Sequence, residues 1–403
     1  MKKYLLMLLA FISLLGYGLY SYSQTDPNLV LSQNPKYWSF QQSAWQLGYH
    51  NRLLSIIVFT VIISMVFLSF SLIYGKAREH IKSFVFIAAI FSLFLTYPAL
   101  SHDIFNYMFN AKMIVAYQLD PHKHVALEAS SDSWIRFMHN THTPAPYGYG
   151  WTITSLIPYV LGFGKFTLTL GIFKAFMILG LLLLWMLQHR LASLIPQQQE
   201  VNFNKSKWLF FLSPLVLIET IGNVHNDVWM MVFVFAAYIS VFSMIKSKHI
   251  LQKLLMGILT GILLFFSFEI KFASIALVPV FLLLVVNELL KKKNLLVCSL
   301  ASYWSELSSL LLFIPLFTSR SQLFHPWYLI WSLSFLPFIR MKIVRLLLIS
   351  FSISSMFRYI PFLYQGEYLP EVMSQQLLIT WGGGLLLFFS TLLFQRVLRA
   401  TMK

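Results

Sequence analysis

His225-Asn226-Asp227-Val228-Trp229-Met230-Met231-Val232-Phe233-Val234-Phe235-Ala236-Ala237-Tyr238 sets three polar residues directly before an apolar run that lasts to Met244 and ends on Lys246 and Lys248. As a helix, such a run approaches the length needed to cross a hydrocarbon core of roughly 30 Å. Comparable runs recur along nearly the whole chain of 403 residues, of which 58% are hydrophobic and 11% charged. The mean hydropathy is +0.70. These values exclude a soluble globular domain and place the chain among all-α, polytopic membrane proteins. The formal net charge of +16 comes from Lys and Arg residues in short connections between apolar runs. There they set orientation and meet the headgroups of membrane lipids, so no nucleic acid partner is implied. The single cysteine, Cys298, lies in an apolar run, which leaves no intrachain disulfide and no cysteine metal cluster.

Outward from the Asp227 run, the positive-inside rule gives a consistent alternation. Lys2 and Lys3 start inside, and residues 4–20 read as an uncleaved first helix. Further spans at about 53–73, 83–100, 208–222, 228–244, 251–268, 272–289, 295–317, 328–338, 346–356 and 378–393, with one net crossing in 151–185, bring the total to about 12. Arg190, Lys205, Lys207, the run Lys291-Lys292-Lys293, and Arg340, Lys342 and Arg345 mark inside connections. The chain reads as a single integral membrane domain, 1–403. Residues 101–150 form a large outer loop, too long for a simple connection and too apolar at 105–116 and 134–138 for a tether. Short interfacial helices are expected there. Segment 151–161 fits a re-entrant piece, an interfacial helix or half of a broken span.

On this map the polar residues Asp103, His225-Asn226-Asp227, Glu269, Lys271 and His325-Pro326-Trp327 all fall at the outer ends of apolar runs. Charge near a bilayer is costly unless it is solvated, paired or used. Each residue also has a structural reading. Asp103 and Asp227 suit helix caps, Glu269 and Lys271 suit helix ends at the headgroups, and Trp327 and the stretch Tyr147-Gly148-Tyr149-Gly150-Trp151 suit an aromatic belt. Their functional reading is a site at one interface. Asp103, flanked by His102 and Asn106, is placed to take a proton from an incoming hydroxyl, and aromatic faces beside flexible backbone suit a sugar ring.

Asp103-Ile104-Phe105-Asn106-Tyr107, Pro146-Tyr147-Gly148-Tyr149-Gly150-Trp151, His225-Asn226-Asp227, Lys271 before a run ending in Pro279, and His325-Pro326-Trp327-Tyr328-Leu329-Ile330-Trp331 occur in this order. Together they resemble the motifs of bacterial polyprenyl-phosphate-dependent mannosyltransferases with the GT-C fold, the alpha-mannopyranosyltransferase-like enzymes. The resemblance covers about 97–331. It implies a GT-C glycosyltransferase fold in a bacterial plasma membrane. The implied reaction is inverting transfer of a hexose, mannose in most of the family, from a polyprenyl-phosphate donor to a lipid or glycan hydroxyl at the outer face.

By the same resemblance, Asp103 and Asp227 are the catalytic acids, and Lys271, His325, Arg320 and Arg358 contact the donor phosphate. Tyr107, Tyr147, Tyr149, Trp151, His225, Asn226, Glu269 and Trp327 contact sugar or acceptor. Asp103 is not part of an Asp-x-Asp metal motif. No cofactor or required metal is expected, although the family pattern does not exclude a divalent ion. A lipid-linked sugar transporter or flippase would be expected to show paired halves, and no internal repeat is evident. A nonenzymatic scaffold of a cell-envelope glycan pathway would tolerate loss of the Asp103 carboxylate. Oligomeric state is not encoded legibly.

Overall fold

A computed structural model of the protein describes residues 2–27, 29, 31–195, 202–290, 293–318, 321 and 323–401. Arg320, Lys291 and Lys292 lie outside the described residues, so the expected phosphate contact at Arg320 and part of the inside lysine run receive no structural account. The described chain is helical throughout, with connecting turns. Among the described residues, eight helices are long and apolar enough to cross a membrane. They become nine if Leu295–Ser302 and Trp304–Phe317, bent by 67°, form one span.

Three of the expected spans take a different form. Residues 83–100 fall partly in a 16-residue helix, Glu79–Phe94, followed by irregular chain. Residues 208–222 break into Trp208–Phe211, Pro214–Leu217 and a wide helical turn, Ile218–Gly222. Residues 328–338 hold only the single turn Pro326–Tyr328 and the short helix Leu329–Leu333. Sequence composition does not distinguish such pieces from whole spans, because their residues are equally apolar. Pro214 ends the first helix of its segment, since the ring lacks an N–H and restricts the preceding residue. Irregular backbone is tolerable here because Phe210 to Val216 and Leu329 to Ile339 are buried within protein.

The helix Asp227–Lys246 is central. It packs against Ile250–Ile270 on one side and Phe166–Leu194 on the other. Ile250–Ile270 buries only Thr260, Ser267 and Ile270, and presents Leu251, Leu254, Ile258, Ile262 and Phe265 outward. An apolar exterior of this kind suits lipid. Phe166–Leu194 runs for 29 residues, and the separate 13-residue helix Tyr149–Leu161 precedes it. Thus 151–161 belongs to a short helix, joined to the long one through Phe163 and Gly164 at φ 48° and 68°.

The loop 101–150 carries the helix Asp103–Tyr117 and single turns at Ala126–Ala129 and Ile135–Phe137. The first of these is buried in protein as well as helical. Its residues Ile104 to Ala111 are all buried, packed against Tyr149–Leu161. Asp132 ties the rest of the loop to Asp103–Tyr117 by pairing with Lys112 at 2.5 Å and accepting from the Tyr117 hydroxyl at 2.6 Å.

Candidate active site

Breaks in the helices position the site. Asp103 and Asp227 are the first residues of their helices. Lys271 follows the last residue of Ile250–Ile270 in extended conformation, φ −155° and ψ 123°, which turns its side chain off the helical course. His325 precedes Pro326, and the extended φ and ψ of the residue before a proline carry its ring away from the following turn.

Two charged chains of contact result. In the first, His225 Nδ1 lies 3.5 Å from Asp103 Oδ2, and its Nε2 lies 3.4 Å from Glu219 Oε2. Glu219 is fully buried and accepts from the Tyr359 hydroxyl at 2.8 Å and from Asn223 Nδ2 at 2.9 Å. Asn223 Oδ1 accepts from the backbone N–H of Leu100 at 3.2 Å, which fixes the chain just before Asp103. In the second, Asp227 Oδ1 accepts from Lys271 Nζ at 2.7 Å and from the Trp331 indole N–H. The Lys271 ammonium also sits over the Tyr328 ring at 5.1 Å.

Aromatic stacking extends the first chain to a second histidine. The Trp327 ring lies between His225, at 3.7 Å, and His325, at 4.4 Å and nearly parallel. Burial, with the charge of Arg358, pushes His325 down to about 3, so its ring is neutral at physiological pH. Burial pushes the Asp103 carboxyl up, but contact with His225 and the charge of Lys271 outweigh it and hold the group below its ordinary value. Asp103 is therefore a carboxylate.

Two cavities meet at this carboxylate. The first, of about 370 Å³, is lined by Asp103, Tyr147, Glu269, Lys271, His325 and Trp327, with Asn140, Pro146, Gly148, Phe268, Ile270, Phe272 and Tyr328. The second, of about 360 Å³, is lined by Asp103, His102, Asn106, His139 and Arg358 among others. Asp103, Asn140, His325 and Trp327 line both. This arrangement leaves room for two ligands on either side of one carboxylate.

The expected site residues do not all reach the cavities. Tyr107 and Trp151 are buried behind Tyr147, each ring making an edge contact at 5.0 Å between Tyr107 and its neighbour. Tyr149 is 45% exposed; it donates to Asp120 at 2.9 Å and packs on His122, away from both cavities. His225, Asn226 and Asp227 are fully buried and line neither cavity. In this arrangement Asp227 holds Lys271, and His225 backs Asp103. Arg358 lines the second cavity, across the shared wall from Lys271.

Sequence reasoning missed Glu219, Asn223, Asn140, His139 and Tyr359. Glu219 had a signal: it is a lone carboxylate inside the apolar stretch 208–222, where an unpaired charge is costly. The others carry no pattern that separates them from ordinary polar loop residues. Among the described residues, no three or more His, Cys, Asp or Glu side chains form a group that could hold a metal ion.

Residues 14–287 match the family model described as Alpha-(1->6)-mannopyranosyltransferase, N-terminal domain. The match includes Asp103, Glu219, His225, Asp227 and Lys271, whereas His325, Trp327 and Arg358 lie beyond it. No curated protein matches the chain, and no solved structure does. With the family model covering roughly two thirds of its length, the chain belongs to the alpha-(1->6)-mannopyranosyltransferase family of membrane glycosyltransferases.

Proposed function

We propose that this protein transfers a hexose, mannose, from a polyprenyl-phosphate donor to a hydroxyl of a lipid or glycan acceptor at the outer face of the plasma membrane, with inversion. The observation that carries this reading is the position of Asp103 in the wall shared by two cavities, one of which also presents Lys271. The donor sugar-phosphate occupies the first cavity. Phe268 lines it, and Phe265 and Phe266 on the same helix face outward, which offers an apolar route for the polyprenyl chain.

The acceptor hydroxyl reaches Asp103 from the second cavity. The carboxylate takes the hydroxyl proton as the oxygen attacks the anomeric carbon. The bond between that carbon and the phosphate oxygen breaks on the opposite side, so the configuration inverts. Negative charge grows on the departing phosphate, where the Lys271 ammonium stabilises it. Asp227 and the Trp331 indole fix the position of that ammonium. Neutral His325 and the Tyr147 hydroxyl supply hydrogen bonds, and Trp327 offers a ring edge or face to the sugar. His225, backed by Glu219, orients Asp103.

The test is transfer by the purified full-length protein in nanodiscs, supplied in parallel with polyprenyl-phosphate mannose and with a nucleotide-linked mannose. Transfer from the lipid-linked donor alone, giving a product of opposite anomeric configuration by NMR, is the expected result. Transfer from the nucleotide-linked donor alone would overturn the reading.

A further inference from the structure

The second cavity contains a feature that the transfer chemistry above does not use. Arg358 is 2% exposed and lines that cavity, yet its Nη1 is buried without a hydrogen-bond partner among the described residues. No carboxylate forms an ion pair with it among the described residues, whereas Lys271 is already paired with Asp227. A buried guanidinium with unspent donors is costly unless something charged and oxygen-rich satisfies it. Its planar fork suits two oxygens of a phosphate or carboxylate.

A second unspent group lies on the same cavity. Asn106 is one turn along the helix from Asp103, is 4% exposed, and has its Oδ1 buried without a partner. An amide oxygen of this kind accepts from a hydroxyl or amide donor. The neighbouring rings of His102 and His139 stack at 4.0 Å. Burial, then the charge of His139, pushes His102 down to about 3, so it adds hydrogen-bonding capacity without charge. The cavity therefore offers one cation at Arg358, one acceptor at Asn106 and one base at Asp103.

We infer that the acceptor in this second cavity is a polyhydroxylated molecule bearing an oxyanion, a phosphate held by Arg358, with one hydroxyl at Asn106 and the reacting hydroxyl at Asp103. This rests on the proposed transfer reaction for its last element only. Binding of the oxyanion requires no donor and no turnover. A phospholipid headgroup with free hydroxyls and a soluble sugar phosphate share the chemistry.

The experiment compares wild type, Arg358→Gln and Arg358→Lys in nanodiscs of neutral lipid. Three acceptors are used: dihexanoyl phosphatidylglycerol, mannose 6-phosphate and the uncharged octyl mannoside. For Arg358→Gln, the KM of a phosphate-bearing acceptor should rise about 10-fold or more, with donor KM and the octyl mannoside KM changed by less than about 2-fold. Arg358→Lys should recover part of the loss, and it also serves where the glutamine variant does not fold. A loss with phosphatidylglycerol alone assigns the oxyanion to a lipid headgroup, and a loss with mannose 6-phosphate assigns it to a soluble sugar phosphate.

Equal losses with charged and uncharged acceptors, or a raised donor KM, would overturn the inference and make Arg358 a structural or donor-phosphate residue. Binding of the same two phosphate probes is followed independently through tryptophan fluorescence. Arg358-dependent binding without any transfer would retain the oxyanion site and overturn the transferase reading instead. Equal binding to wild type and both variants would overturn the site.

Discussion

His225 touches both Asp103 and Glu219 and is sandwiched against Trp327, so it has little freedom to turn. Glu219 is in turn held by Tyr359 and Asn223, both neutral donors. Glu219→Gln keeps the size and one acceptor oxygen but puts an amide in place of the carboxyl that faces the imidazole. Transfer should fall by roughly 10- to 100-fold in kcat, since a residue that orients a base contributes less than the base itself. Donor KM should stay unchanged. An unaltered kcat with a lowered melting temperature would make Glu219 purely structural. The sequence made Asp103, Lys271, His325 and Trp327 visible as chemically unusual residues at run ends, and the structure gathers all four on the first cavity. It did not reveal that His225, Asn226 and Asp227 stand behind the walls. Alternation of spans places residues on one side of a membrane but does not orient side chains around a cavity. Tyr149 illustrates the same limit: it is two residues from Tyr147, yet its ring packs on His122.

Helix Tyr149–Leu161 meets the end of Ile250–Ile270 at Gly148 and Gly150, beside the first cavity. A Cβ added at Gly148 would stand 2.1 Å from the Glu269 carbonyl oxygen, a backbone atom that cannot step aside alone. Gly148→Ala should therefore push the two helices apart and cost about 1–3 kcal/mol through overpacking. Because Gly148, Glu269 and Lys271 line one cavity, the change should also raise donor KM. Fluorescence-detected thermal unfolding and donor titration check both effects. A variant with wild-type stability and wild-type donor KM would show that this close approach is not required. At this scale the long apolar helices were legible from length and hydropathy. The broken segments at 208–222 and 326–333 were not, because burial within protein satisfies backbone groups that lipid would leave unpaired.

For the whole molecule, the proposed placement of both cavities at the outer face rests on the distribution of Lys and Arg. Tyr364, 53% exposed in the short helix Ile360–Gln365, offers a reporter on the same side as Arg358. In a Cys298→Ser background, Tyr364→Cys should react with a membrane-impermeant maleimide in intact cells. Labelling only after permeabilisation would invert the topology and move the site to the cytoplasmic face. The all-α, many-helix character was legible from composition, whereas the number of spans was not, since apolar segments too short or too broken to cross alone count the same in a hydropathy reading. The claim on which the rest depends is that Asp103 activates the acceptor hydroxyl. It is tested by transfer from polyprenyl-phosphate mannose with Asp103→Asn beside wild type, measured from pH 7 down to about pH 5. Asp103 is held below its ordinary value, so its base form persists across that range and the wild-type rate should stay level, losing activity only as pH falls through the lowered value. The asparagine variant should fold normally and lose about 10²- to 10⁴-fold of the rate. Full transfer by Asp103→Asn, with or without a change in pH dependence, would contradict the account.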